Sequence, residues 1–320
     1  MIQIALIGIG AGAAGALLFA SVSSGSWVSV VLFYLAPLPM VIAGLGWSHW
    51  AALAGALTGA FSIGAVFGSM FFIAFLAGTG IPAWWLSYLA MLARPAGDGH
   101  AALEWYPPGR LVFWAALLGA FLVLAAIPNF GLSSETFHAA LSEKLMLLFR
   151  DQSGPAPDAP LVMRGVSDPK ALVDFLAEAI PPAAAVIATV TNTVNLWLAG
   201  RVVAYSGRLT RPWPTLADMR LPTSSAAVLA VAVASSFAGG MLGVVAGVVA
   251  ASLLMAYGIL GFAILHAMTR GLQARGLLLG SAYGAVLVLG WPLLALSLLG
   301  LADVIFDLRG RVARKRGGPT

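Results

Sequence analysis

Hydrophobic residues run along this chain in blocks of roughly twenty, parted by short polar breaks, and each block is long enough to cross a bilayer as an α-helix. The apolar runs lie at 2–20, 27–46, 48–66, 67–92, 109–128, 183–200, 223–239 and 242–268. A last run, 277–306, is interrupted by Gly290-Trp291-Pro292. The pattern predicts an all-α, polytopic transmembrane helix bundle with about eight full spans plus a broken or re-entrant C-terminal segment. Residues 1–308 form one transmembrane domain, with an amphipathic insertion at 129–180 and a basic loop at 201–222, and 309–320 form a basic tail.

Small residues and prolines mark where these helices meet or bend. Gly8, Gly12 and Ala16 recur every fourth residue and give the first span a flat ridge where another backbone can approach. That ridge packs either within the bundle or against a separate membrane protein or second copy. No Lys or Arg precedes the first run, so it reads as an uncleaved helix rather than a signal peptide. Pro37 and Pro39 should bend the second span. Gly55 with Gly59, and Gly243 with Gly247 and Ala251, are further close-packing sets. Gly78-Thr79-Gly80-Ile81-Pro82 should unwind or kink the fourth span at mid-depth.

The 129–180 insertion carries two amphipathic stretches. Ser133 or Ser134 can cap a helix bearing Phe137, Leu141, Leu145 and Leu148 on one face. A proline-rich linker, 154–160, follows. Asp168-Pro169 then opens a second helix with Leu172, Phe175, Leu176 and Ala179, ahead of Pro181-Pro182, which open the sixth span. Both helices are expected on the membrane surface or over the outer mouth of the bundle.

Composition agrees with this class. Sixty per cent of the residues are hydrophobic and 9% are charged, and there is no cysteine to form a disulfide or a thiolate site. The net charge of +5 implies no nucleic-acid partner, because the basic residues sit in short loops and the tail. The 129–180 segment has four basic and seven acidic residues; the 201–222 loop has Arg201, Arg208, Arg211 and Arg220 against Asp218. This asymmetry predicts a multi-pass protein of the bacterial inner membrane, with the N-terminus and the arginine loop cytoplasmic and 129–180 outside. A ninth full pass would carry Arg309, Arg311, Arg314, Lys315 and Arg316 outside, so the last run is expected to turn back. The tail then meets anionic lipid headgroups.

Candidate chemistry is sparse. No Asp, Glu, Lys or Arg lies firmly within the hydrocarbon depth, Asp303 and Glu178 being expected at its interfaces. His49, His100, His138 and His266 lack metal-ligand spacing, and no catalytic triad, carboxylate pair or phosphate loop occurs. A non-enzyme without cofactor is expected. What remains is the polar face of the sixth span, Thr189, Asn192 and Asn195 with Thr191 and Thr193. These groups either bond neighbouring helices or, with Thr79 and Pro82 of the broken fourth span, line a pocket for a neutral solute.

Three stretches carry a family resemblance: Ala36, Leu38, Pro39, Val41, Ala43, Leu45, Gly46 and Trp47; RPWPTLADMRLP after the sixth span; and LGLADVIFDLRGR at 299–311. In these the chain resembles the YybS-like family of uncharacterised bacterial inner-membrane proteins, which is distantly like the substrate-binding S components of energy-coupling-factor transporters. The resemblance implies a transporter-like solute-binding or permease component, with the Gly8–Gly12–Ala16 ridge as a docking surface. The alternative is a non-catalytic scaffold that gathers partners at its arginine loop and tail.

Overall fold

The computed structural model describes residues 1–96, 103–153, 166–216 and 219–315, with the side chains of 151–153 and 312–315 left aside. The 154–160 linker, His100, Asp218 and Arg316 fall outside the described residues. The chain is a helical bundle, with one small ribbon joining two of its helices.

Helices α1 (Ile2–Ala20), α2 (Trp27–Tyr34), α3 (Leu38–Gly46) and α4 (His49–Phe67) open the bundle. The ridge of α1 is spent inside it. A Cβ on Gly8 would lie 2.6 Å from the Ala51 carbonyl oxygen, and one on Gly12 would run into that of Gly55. Two glycine faces thus bring the α1 and α4 backbones together, where dispersion does the work that the hydrophobic effect cannot do in lipid. The second span breaks at Leu35–Pro37, where Leu38 N bonds Leu35 O in place of a full helical turn.

The fourth span comprises α5 (Ser69–Phe75), a π-helical turn (Leu76–Gly80) and α6 (Ile81–Ala90). The glycines widen one turn instead of unwinding the helix, so the expected break is a bulge. Strands β1 (Ala93–Pro95) and β2 (Leu103–Trp105) pair antiparallel before α7 (Pro108–Ala126), with Arg94 2.7 Å from Glu104 across the ribbon.

Helix α8 (Ser134–Ser153) is capped by Ser133, whose hydroxyl accepts from Thr136 N at 3.1 Å. Phe137 on its inner face is buried, whereas Leu148 is exposed. Helix α9 (Pro169–Tyr205) departs from expectation: it is one 37-residue helix that runs straight through Pro181 and Pro182. Val173, Ala177, Pro181, Ala185, Thr189 and Asn192 form one buried stripe across the pair, and that continuous packing outweighs the two lost backbone bonds. Asp168 caps its start, accepting from Ala171 N at 3.0 Å. Between Glu178 and Arg201 no charge interrupts it, about 33 Å of helix against a hydrocarbon core of ~30 Å. The charged first turns therefore project beyond the apolar layer.

Helices α10 (Ser224–Ser236) and α11 (Gly240–Met268) follow, joined through positive-φ Gly239 and Gly240. Gly247 of the expected small-residue ridge meets nothing within 4 Å. The close approach in this half lies elsewhere: Gly258 and Gly261 of α11 against Leu293, Leu296 and Gly300 of α13 (Pro292–Phe306). Among the described residues seven helical segments are long and apolar enough to cross a membrane; α10, α12 (Arg275–Leu289) and α13 are shorter.

The last apolar run folds as a helical hairpin. Tyr283 of α12 stacks on Phe262, ring centroids 4.3 Å apart, near the C-terminal end of α11. The chain reverses at Gly290 (φ 73°), and Ser297 of α13 donates to Leu254 O near the middle of α11. Past the end of α13, Asp307 meets Arg220 at 3.0 Å and Arg309, in α14 (Leu308–Lys315), donates to Met219 O at 2.8 Å. The hairpin thus returns to the arginine loop, on the side from which α12 set out.

Two large apolar cores and a small cluster of Ala120, Ala185 and Val248 result among the described residues. Met40, Val41, Phe75 and Val203 centre one, and Leu253, Tyr257, Leu260 and Ile264 the other. Helices α7, α9 and α11 pack together between them.

Candidate binding cleft

Thr189, Asn192 and Asn195 are all buried, and their donors are spent on neighbouring helices. Thr189 Oγ1 lies 2.8 Å from Ser252 Oγ of α11, and Ser252 donates on to Ala116 O of α7. Asn192 donates to Ala115 O at 3.3 Å. Asn195 donates to Tyr34 O and Thr191 O, both at 2.8 Å. Thr193 bonds back to Thr189 O at 2.9 Å. This face ties α9 to α7, α11 and the break after α2.

Thr79 and Pro82 are buried too, but in a different place. Their turn packs on α4 and α7, with Gly80 against Ala56 and Gly78 beside Leu122. No described hydrogen bond joins them to the α9 amides. The Asn195 Oδ1 atom is buried without a partner beside a shallow groove of about 360 Å³ between α2 and α9.

The larger cavity, about 410 Å³, shares Val190 and Val194 with that groove, opens towards α7 and α11, and was not foreseen. Val190, Val194 and Trp197 of α9 form one wall, and Pro108, Leu111 and Val112 of α7 another. Met255, Ile259, Phe262 and His266 of α11 close the third side, with Tyr283 at its edge. The loop between α9 and α10 is the roof, through Leu209, Arg211, Trp213, Leu216 and Met219. Residues this far apart in sequence show no periodicity that would have announced the cleft.

Local rules place that roof. Gly207 takes φ 70° after α9, and Arg208 N reaches back to Val203 O at 3.1 Å, a glycine-terminated helix end that turns the chain under itself. Trp213 then packs on Gly200, where a Cβ would come within 3.1 Å of its ring. Arg201 lies over the rings of Tyr205 and Trp213, and Arg208 over Trp47, at 4.5–5.2 Å. Gly109 lets the backbone of Arg220 pass against the start of α7.

The four loop arginines, alike in sequence, differ in environment. Arg220 is exposed and paired with Asp307. Arg211 is only 8% exposed and has no carboxylate partner among the described residues. It donates to Ala90 O at the C-terminus of α6, 2.8 Å, and to Tyr106 O, 3.3 Å, while its Nε has no acceptor. Burial pulls its pKa below the ordinary arginine value, yet a guanidinium keeps its proton in proteins.

Asp303, expected at an interface, lies in the last turn of α13, and Arg309 was expected against lipid. Arg309 is instead buried with Asp303 in one ion pair, 2.7 Å, with Asp303 3% exposed and also accepting from Arg309 N. Of the remaining tail residues Arg311 is exposed, and the side chains of Arg314 and Lys315 lie outside the described set. His266 bonds Phe262 O through Nδ1, and His49 stacks on Trp50 and Tyr88. Among the described residues no three metal-ligating side chains converge.

No protein-family model, curated protein or solved structure matches this chain.

Proposed function

We propose that this membrane protein is a non-catalytic, transporter-like solute-binding or permease component whose ligand is largely apolar. The observation that supports it is the 410 Å³ cleft enclosed by α7, α9, α11 and the arginine loop. Its size is within the usual range for small-molecule sites, and its lining is almost wholly hydrocarbon and aromatic. The ligand site belongs here rather than on the Thr189–Asn195 face, whose donors are already engaged. The likeness to the YybS-like family and to S components is part of this reading.

The topology that goes with it has eight crossings and a re-entrant α12–α13 hairpin. Helix α10, at 13 residues shorter than either hairpin arm, is counted as a crossing, so length does not set the hairpin apart. The hairpin's reversal at Gly290 and the return of its end to Met219 and Arg220 support the re-entrant reading. The N-terminus, the arginine loop and the tail are cytoplasmic and the membrane is the bacterial inner membrane, by the charge asymmetry of the loops.

Native mass spectrometry of the full chain released from its host membrane into gentle detergent tests the reading. One co-purifying small molecule per chain, lost on Thr193→Phe within the cleft, is expected. A chain that never carries one, with the cleft dry in all preparations, would overturn it. That outcome favours a membrane scaffold, a reading supported by the exposed Arg208 and by the interhelical bonds of Thr189, Asn192 and Asn195.

A further inference from the structure

The cleft is apolar except at one end, and that end carries a cation that meets no carboxylate among the described residues. Arg211 is more than nine-tenths buried, bonds only two neutral carbonyls and leaves Nε without an acceptor. The C-terminal dipole of α6 explains the bond to Ala90 O, since helix C-termini attract cations. It does not explain the idle Nε or the lack of a carboxylate partner among the described residues. A buried guanidinium is costly unless an anion meets it. Its neighbours differ in exposure rather than in ring contacts: Arg201 and Arg208 lie over aromatic rings at the surface and Arg220 meets Asp307, whereas Arg211, 5.9 Å from the centre of the Trp105 ring, is buried.

We propose that the cleft holds an anionic lipid, with its acyl chain along α9 and α11 and its acidic head group on the Arg211 guanidinium. This deepens the cleft reading above and rests on it. The two ends of the cavity match the two ends of such a molecule. Val194, Ile259, Phe262 and Leu216 offer only hydrocarbon and ring surface to the chain. Thr193 and His266 also border the space, but the Thr193 hydroxyl is given to Thr189 O and the His266 Nδ1 to Phe262 O. A neutral solute would leave the arginine unmatched, and a small soluble anion would leave the apolar walls unfilled. Both an anionic and a zwitterionic head offer a phosphate diester to the arginine, but in the zwitterion the choline cation offsets that charge, so the anionic head is favoured by roughly ten-fold.

The test uses the full chain in nanodiscs holding equal phosphatidylglycerol and phosphatidylcholine with identical acyl chains. The lipid retained after transfer to detergent is counted by native mass spectrometry. Wild type should keep one lipid per chain, phosphatidylglycerol in preference by about ten-fold. Arg211→Gln should still keep one lipid, with the ratio falling toward one, and Arg211→Lys should preserve a preference. Thr193→Phe should lose the lipid whatever its head group. A joint change of Arg311, Arg314, Lys315 and Arg316 to Gln should leave the ratio as in wild type.

A wild-type ratio near one overturns the proposal and leaves the cleft reading intact, because a lipid is still bound. An unchanged ratio in Arg211→Gln does the same. Should Arg211→Gln fail to fold, Thr193→Phe decides: a preference that survives there places the lipid elsewhere and overturns the proposal. Absence of any retained lipid in wild type, with another small molecule seen instead, also overturns it while sparing the cleft. Absence of everything overturns both.

Discussion

Asn195 of α9 donates its side-chain amide to the carbonyl of Tyr34, 161 positions earlier in the chain, at 2.8 Å. That carbonyl is free because the second span breaks at Leu35–Pro37 and Leu38 N turns to Leu35 O instead. A proline-induced gap on one helix is thus filled by an amide on another, which is how membrane helices tolerate proline. Asn195→Leu should strand the Tyr34 carbonyl and lower stability by about 1–3 kcal/mol, read as a fall in the thermal midpoint of detergent-solubilised protein. An unchanged midpoint would mean that the bond contributes nothing.

The Thr189–Ser252 contact supports a double-mutant cycle. Thr189→Val and Ser252→Ala should each destabilise, and the pair should couple by ~0.6–1.7 kcal/mol, the range found between membrane helices. Strict additivity in denaturant or thermal unfolding would count against a direct bond.

Glycines divide into two groups with opposite outcomes. Gly12→Ala and Gly261→Ala push a methyl into the backbones of Gly55 and Leu296 and should each cost about 1–3 kcal/mol. Gly247→Ala meets open space and should be neutral or stabilising by up to ~1 kcal/mol, from helix propensity. Thermal melts of the three variants side by side check this. Equal destabilisation at Gly247 would show that another molecule occupies that face.

Asp303 and Arg309 form a buried pair, so removing one partner should do more harm than removing both. Asp303→Ala leaves a guanidinium uncompensated and should cost ~3–5 kcal/mol, whereas Asp303→Leu with Arg309→Met should recover part of the loss. A double variant as unstable as the single one would show that the bond from Arg309 to Met219 O matters more than the pair.

Topology is open to chemical labelling, because the chain has no cysteine of its own. With an impermeant thiol reagent in intact cells, Ser153→Cys should label and Ser206→Cys and Thr320→Cys should not. Labelling at Ser206→Cys would reverse the whole orientation; labelling at Thr320→Cys alone would mean nine passes.

Element type and most boundaries were legible in the sequence, because a backbone in hydrocarbon must bond to itself and a run of apolar residues leaves it no choice but helix. The first span was expected at 2–20 and is Ile2–Ala20; the third was expected at 48–66 and is His49–Phe67. The buried face of α9 was legible too, since amides and hydroxyls at helical spacing must turn away from lipid. Pairings were not. Nothing local distinguishes Gly12, pressed on Gly55, from Gly247, which touches nothing, because glycine looks the same to its own helix in either place. Nor could periodicity show that Pro181 and Pro182 would stay inside a helix, because the packing that holds them comes from other helices. The cleft and its arginine belong to the tertiary structure alone. Arg211 is one of four similar residues in the 201–222 loop, and only the fold of that loop beneath α9 took this one out of water and away from every described carboxylate.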